Sequence, residues 1–277
     1  MQVQGNISKM NVSVNEKNEV KYQLNFSGTN VVMNELIGKT IQMTFANQIN
    51  CVHCNRVTKK SFGQGYCFPC LQRLAQCDTC IIKPELCHFH LGTCREPEWG
   101  ESNCFKNHIV YLSNTGAVKV GITRFAESTV SSRWIDQGAT QAIAILRVQN
   151  RLVSGLVEKA IGEHIGDKTN WRTMLKGNSE AKDLVAEKQR VLSLAKSKLD
   201  EIVAQHGLQA IDYIDTPAVE INYPVTQYPV KIKSINLDKE QIFSGTLLGV
   251  KGQYLLLDGD RVINMRKYSG YDLSLEY

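Results

Sequence analysis

From Val20 to Phe26 the apolar residues Val20, Tyr22, Leu24 and Phe26 stand at every second position, with Lys21, Gln23 and Asn25 between them. Ile41, Met43 and Phe45 repeat the pattern. Alternation with period two marks a strand with one buried face, so residues 1–49 read as a β-rich segment. Ser27-Gly28-Thr29-Asn30 and Gly38-Lys39 supply its turns.

The pattern changes after residue 107. Ile109-Val110-Tyr111-Leu112 and Val118-Lys119-Val120-Gly121-Ile122-Thr123, separated by Ser113-Asn114-Thr115-Gly116, predict a hairpin. Ala142 to Val148 predicts a third, buried strand. Leu152, Val153, Leu156, Val157, Ala160 and Ile161 then recur at helical spacing and predict an amphipathic helix over 151–165, stopped by Gly166. A second helix follows at about 180–206, marked by Leu184, Val185, Val191, Leu192, Ala195, Leu199, Ile202 and Val203, with Gly207 as its stop. Beyond it the chain returns to β. Residues 241–250 and 254–257 predict strands, and Asp258-Gly259 predicts a hairpin turn. Recurrent glycines give this end the character of a small β-barrel, of the kind that stacks bases on exposed aromatics; Tyr254, Tyr268 and Tyr271 would suit that. The terminal β segments could alternatively complete one sheet together.

The division is therefore 1–49, a β-rich N-terminal segment; 50–107, a cysteine-rich module; 108–180, a small α/β domain; 181–207, an amphipathic helix; and 208–277, a β-rich C-terminal domain. The fold class is α+β. At 277 residues, 43% hydrophobic and 21% charged, the composition is that of a globular chain. There is no apolar run of 18 residues, so no membrane span is expected. The opening residues Met1 to Gly5 lack the charged start and apolar stretch of a secretory signal, which predicts a cytoplasmic protein. The net charge of +5 permits a polyanionic partner without demanding one.

All nine cysteines fall between Cys51 and Cys104. An odd number in one block argues for metal ligands rather than a disulfide framework. Cys51-x2-Cys54 followed by Cys67-x2-Cys70 is the spacing of two knuckles on one tetrahedral ion, and predicts a structural zinc site. An iron–sulfur cluster is the other group that accepts four cysteines. Cys77-x2-Cys80 begins a second site, with Cys87, His88, His90, Cys94 and Cys104 as further candidates. The favoured set is Cys77, Cys80, Cys94 and one of Cys87, His90 or Cys104. A four-cysteine site leaves no coordination position open, so the chemistry must be sought beside it.

The stretch from His108 to about Lys176 resembles the GIY-YIG nuclease domain, in the branch whose second motif reads V-K-[IV]-G-x-T. The resemblance rests on Ile109 to Leu112, Val118 to Thr123, Arg133 and Glu158. It implies a phosphodiester hydrolase assisted by a divalent ion. Tyr111 would activate the nucleophile, Gly121 would be the glycine of the second motif, Arg133 (with Arg124 as rival) would hold the phosphate, and Glu158 would hold Mg²⁺ or Mn²⁺. Lys119 stands where the second tyrosine of the name-giving motif would be. The residues themselves are compatible with this chemistry. A phosphate needs a guanidinium fork, and Arg124, Arg151 and Arg172 are further candidates for nucleic-acid contact; one carboxylate can suffice for Mg²⁺. The rival readings are a non-catalytic RNA- or DNA-binding module and a nucleic-acid-modifying enzyme of the same fold. Over most of its length the chain also resembles a bacterial cysteine-rich family known only as a domain of unknown function, through the order PELCHFH, GTCREPEWGE, VKVGIT, RWIDQGA and NWRTMLKG.

Overall fold

The computed structural model describes residues 1–124, 130–166, 168–177 and 179–277. The chain opens with β1 (Gln2–Asn6), a meander of β2 (Asn11–Val14), β3 (Val20–Phe26) and β4 (Thr29–Val32), and the long β5 (Thr40–Ile49). The cysteine block holds two short helices, α1 (Phe68–Arg73) and α2 (Pro97–Cys104), joined by four single 3-10 turns. Then come β6 (His108–Asn114), β7 (Val118–Thr123), α3 (Ser132–Asp136), β8 (Gln141–Val148), α4 (Arg151–Gly162), α5 (Trp171–Leu175) and α6 (Leu184–His206). The last part is β9 (Ile211–Tyr213), β10 (Val219–Glu220), β11 (Lys233–Ser234), β12 (Ile242–Lys251), β13 (Tyr254–Leu257), β14 (Arg261–Asn264) and β15 (Tyr271–Glu276).

The two ends of the chain share one seven-stranded sheet, in the order β1-β15-β5-β12-β13-β14-β11. β12 makes this possible. Its first half, Ile242 to Thr246, pairs with β5, and its second half, Leu247 to Lys251, pairs with β13, with a register shift between Leu247 and Gly249. The sheet turns there but does not close. β1 pairs only with β15 and the two-residue β11 only with β14, so the described residues contain no closed barrel. Two of the three prospective stacking aromatics are also turned inward. Tyr268 and Tyr271 are buried, Tyr268 Oη accepting from Leu237 N and Tyr271 Oη donating to Asp238.

β6, β7 and β8 form the centre of a second sheet, β10-β8-β6-β7, with β9 also on β8. Its alternation decides what covers it. Val110, Leu112, Val120, Ile143 and Ile145 share a core with Val153, Val157 and Ile161 of α4 and with Leu184, Val191, Ala195 and Leu199 of α6. Tyr111 belongs instead to the core of the large sheet, with Trp134 and Ile135 of α3. α4 stops at Gly162, one turn before the expected Gly166. Gly166 is drawn off to the edge of the sheet, where its carbonyl accepts from Val120 N at 3.0 Å. α6 begins where Asp183 caps it, its Oδ1 accepting from Val185 N and Ala186 N, and ends at Gly207 with φ +95°. Among the described residues no helix is long and apolar enough to cross a membrane.

Lys251, at the end of β12, is 0% exposed. Its ammonium donates to Gly177 O at 2.8 Å and stands 5.3 Å from the ring centroids of both Tyr223 and Tyr228. Burial nevertheless dominates and brings its pKa from 10.5 down to about 8. Below pH 8 both folded and unfolded chains carry the charge, and the folded state bears the full desolvation cost. Between pH 8 and 10.5 the folded state alone sheds the proton, so that cost is lifted. At about 1.4 kcal/mol per unit, the wild type should gain about 3 kcal/mol over a Lys251→Met variant across that window. Urea denaturation of both proteins at pH 7, 8, 9 and 10 measures this; curves that stay parallel would show that the ammonium is hydrated.

Candidate metal centre and the site beside it

The cysteine block starts where β5 ends. Asn50 N donates to Gly270 O and Asn50 Nδ2 to Asn55 O, tying the first knuckle to the sheet. The chain reverses at Cys51 to Cys54, with Asn55 in the left-handed region at φ 56°. It reverses again through Gly63, Gln64 and Gly65, all at positive φ. Gly65 has to be glycine, because a Cβ there would fall 2.5 Å from Val52 Cγ1. Cys67 then stands at the N-cap of α1 and Cys70 in its first turns, so one helix end presents both thiols.

The Sγ atoms of Cys51, Cys54, Cys67 and Cys70 all lie within 4.8 Å of one another, and those of Cys54 and Cys67 are 3.7 Å apart. A tetrahedral ion with metal–sulfur bonds of about 2.3 Å sets its sulfurs about 3.8 Å apart, whereas a disulfide needs about 2.05 Å. The four thiols therefore fit a structural metal ion such as zinc. Burial raises the Cys51 thiol, but the backbone N–H groups of Cys54, Cys67 and His53 outweigh it and bring it down to about 6. Burial and the neighbouring thiols push Cys70 up. Ionisation is thus favoured at Cys51 and opposed at Cys70, where a bound cation would have to drive it.

The remaining cysteines separate in a way their spacing does not show. Cys77 packs against the first centre, beside Cys51, Cys67, Cys70 and Leu74. Cys80, Cys87, Cys94 and Cys104 instead line a cavity of about 20 Å³, and His90 is exposed outside it. Cys77 and Cys80 therefore lie against different neighbours, although their spacing is that of a knuckle. The physical reason is Asp78: its Oδ1 accepts from Cys80 N at 3.1 Å, capping the 3-10 turn Thr79–Ile81 and taking the N–H that a knuckle would aim at the first sulfur.

Beside this block lies the cluster around Tyr111. Tyr111 is paired with Gly121 across β6 and β7, and a Cβ on Gly121 would sit 2.6 Å from Tyr111 Cζ and Oη. The glycine lets the phenol lie flat over β7. Tyr111 packs edge-on against Trp134 at 5.6 Å and donates to Gln137 Oε1 at 3.1 Å. Burial pushes its hydroxyl up to about 12; the Arg133 guanidinium pulls it down by charge and hydrogen bond, and the Glu158 carboxylate pushes it up. Residues from β6, β7 and α3 thus meet at one hydroxyl, and the charge of Glu158 on α4 acts on it. Arg133 is on the exposed side of α3, whose N-terminus is capped by Ser131. Lys119 is buried on β7. Gln137 escaped notice in the sequence, where only its place four residues after Arg133 marked it.

The other arginines have different surroundings. Arg124 donates to Asn103 Oδ1 at 3.0 Å and lies over the Trp99 ring. Arg172 covers Trp171 at 4.3 Å, and Trp171 in turn stacks on Tyr254, leaving a guanidinium on the outside of an aromatic pile. Arg151 is 8% exposed and donates to the carbonyls of Cys80 and Ile81. It clamps the cysteine block onto α4 instead of facing a phosphate. Gly155, one turn along, completes the seat: a Cβ there would lie 2.3 Å from Glu85 N.

No curated protein matches the chain, and no solved structure matches it. Residues 38–273 match the model of a family described as "Protein of unknown function (DUF2797)". That span takes in the metal centre, the Tyr111 cluster and nearly all of the large sheet, and the chain belongs to that family.

Proposed function

We propose that the protein binds nucleic acid with a GIY-YIG-like domain held on a zinc-stabilised platform, and that it cleaves a phosphodiester with Mg²⁺ or Mn²⁺ at Glu158. The observation that carries this reading is the Tyr111 phenol lying over Gly121 with Arg133 bonded at its hydroxyl, where the charge of Glu158 is also felt. These four positions come from four separate elements, and the GIY-YIG resemblance rests on the same residues. Arg133 would fork a phosphate oxygen. The phenol, protonated at neutral pH, would orient a water by hydrogen bonding instead of taking its proton. A divalent ion on Glu158 would supply charge stabilisation at the phosphate. Arg124 and the Arg172–Trp171 pair would extend the contact along the backbone and against a base.

A second reading is favoured by the complete burial of Tyr111 and its bond to Gln137: binding without cleavage. One experiment separates the two. The protein is incubated with assorted single- and double-stranded DNA and RNA and Mg²⁺ or Mn²⁺, beside Glu158→Gln and Arg133→Ala. Metal-dependent products should fall to background with Glu158→Gln and by about 10²–10³-fold with Arg133→Ala. Wild type and Glu158→Gln giving identical products would end the nuclease reading. Retention that depends on Arg133 without any product would establish the second.

A further inference from the structure

We propose that Asp78, Cys80 and His88 hold a second zinc ion, whose fourth position opens on the small cavity of the cysteine block. Ligand atoms of these three residues lie within 4.8 Å of one another, and all three residues line that cavity. Local structure brings them there. Asp78 caps the turn Thr79–Ile81, which carries Cys80, and His88 stands at the start of the turn Phe89–Leu91. The proton on His88 decides what the cluster can hold. Thr93 Oγ1 donates its one hydrogen to His88 O at 3.2 Å, so it accepts from His88 Nδ1 at 2.7 Å. A neutral His88 therefore carries its hydrogen on Nδ1 and turns the lone pair of Nε2 toward Asp78 Oδ1, 3.5 Å away. Charge-assisted N–H···O bonds run at about 2.7–2.9 Å, so a protonated His88 would sit closer. Two ligand atoms each about 2.1 Å from a tetrahedral ion stand about 3.4 Å apart. Nε2 and Oδ1 thus have the spacing of two ligands of one ion, not that of a donor and its acceptor.

The far side of each of these ligands is already held. Asp78 Oδ1 accepts from Cys80 N at 3.1 Å, which leaves it a second lone pair, and Oδ2 is fixed by Arg95 Nε at 2.6 Å. Partners such as Thr93 and Arg95, behind a histidine and a carboxylate, orient both for a metal. One thiolate, one carboxylate and a neutral imidazole cancel the charge of Zn²⁺, and the mixed sulfur, oxygen and nitrogen set suits that ion. The cavity of about 20 Å³ has room for the single water that completes a tetrahedron, which needs roughly 10–15 Å³. The segment also lacks any other means of holding itself. Among the described residues, none from 78 to 107 belongs to a cluster of buried hydrophobic residues, and Ile82, Leu86, Leu91 and Phe105 are exposed. Single 3-10 turns and the short α2 bury too little to offset the entropy of ordering them. Arg151 already ties the carbonyls of Cys80 and Ile81 to α4, so the ion would fix residues 78–88 against the helix that bears Glu158.

Metal counting by native mass spectrometry on the full chain tests this independently of any nucleic-acid activity. The wild type should hold two zinc ions. Cys80→Ser and His88→Ala should each hold one, while Cys77→Ser and His90→Ala keep two. A wild type with one zinc overturns the assignment and leaves Asp78 and His88 as an ion pair only. A His88→Ala variant that keeps both ions overturns it too. X-ray absorption at the zinc edge of the wild type avoids any folding defect in a variant. It should count about five sulfur and three nitrogen or oxygen neighbours over the two ions. About eight sulfurs and no lighter neighbours would mean that cysteines alone hold the second ion, and Asp78 and His88 would not be its ligands.

Discussion

Stripping the metal from the Cys51–Cys54–Cys67–Cys70 centre should unfold residues 51–77 while the large sheet persists. The argument is one of magnitudes. The apolar interior of this part of the chain amounts to Cys51, Cys67, Cys70 and Leu74, with Tyr66 and Cys77 against them. One buried leucine contributes about 2 kcal/mol. Ordering each residue's backbone costs about 1–2 kcal/mol, and more than twenty residues are ordered here. A structural zinc contributes about 10–16 kcal/mol in comparable small modules, so the cation and not the packing makes the difference. Cys67→Ser should act like chelation, because it removes a ligand and the buried N-cap of α1 together. Hydrogen exchange checks both. The amides of Val52, Phe62 and Tyr66, which donate to Gly65, Tyr66 and Phe62 carbonyls, should lose protection on chelation. Those of β5 paired with β12 and β15 should keep theirs. Unchanged protection at Val52 and Tyr66 in metal-free protein would show that the module folds without an ion.

The first centre was legible because a knuckle is local: two residues between cysteines fix the turn, and the turn fixes the thiols. The same spacing at Cys77 and Cys80 gives no such grouping: Cys77 packs on the first centre, and Asp78 Oδ1 accepts from Cys80 N. Residues 80–85 are seated on Gly155 and Arg151, about seventy residues downstream, and no spacing encodes that. Strands β6, β7 and β8 and helices α4 and α6 followed from hydrophobic period alone. The large sheet did not, because the partner of β5 is β12, some two hundred residues away, and both faces of a bent strand blur the alternation. The residues around Tyr111 were named only through a resemblance, and what Gly121 does for Tyr111 became visible only with the phenol lying over it. Arg151 and Glu158 stand on one helix two turns apart, as read, and Arg151 is bonded to the cysteine block while the charge of Glu158 acts on both Arg151 and Tyr111.

Gln253→Leu should cost about 3–5 kcal/mol, although it changes neither a metal ligand nor a residue of the Tyr111 cluster. Gln253 follows Gly252 in the two-residue turn between β12 and β13 and is 2% exposed. Its Oε1 accepts from Met10 N at 2.8 Å, and its Nε2 donates to Met10 O at 3.1 Å and to Asp136 Oδ1 at 2.8 Å. The other Asp136 oxygen is paired with Lys9 Nζ at 2.8 Å. One amide therefore joins the N-terminal strands, the large sheet and the C-terminal end of α3. Leucine fills similar space but leaves the Met10 N–H and carbonyl without that partner and removes a donor from a buried carboxylate. Each such orphan costs about 1–3 kcal/mol. Gln253→Glu separates hydrogen bonding from packing. It keeps the shape and the acceptor for Met10 N, yet turns a second carboxylate toward Asp136, so it should be at least as destabilising as leucine at neutral pH. Its deficit should shrink as pH falls toward the carboxylate range, where protonating one acid of the pair relieves the repulsion. Urea denaturation of the three proteins at pH 7 and pH 4.5 measures this. A leucine variant within about 0.5 kcal/mol of wild type, the range of ordinary surface substitutions, would mean the network contributes little. If the joint matters as argued, nucleic-acid retention that depends on Arg133 should weaken in Gln253→Leu as well, because α3 loses the anchor that sets the direction of that guanidinium.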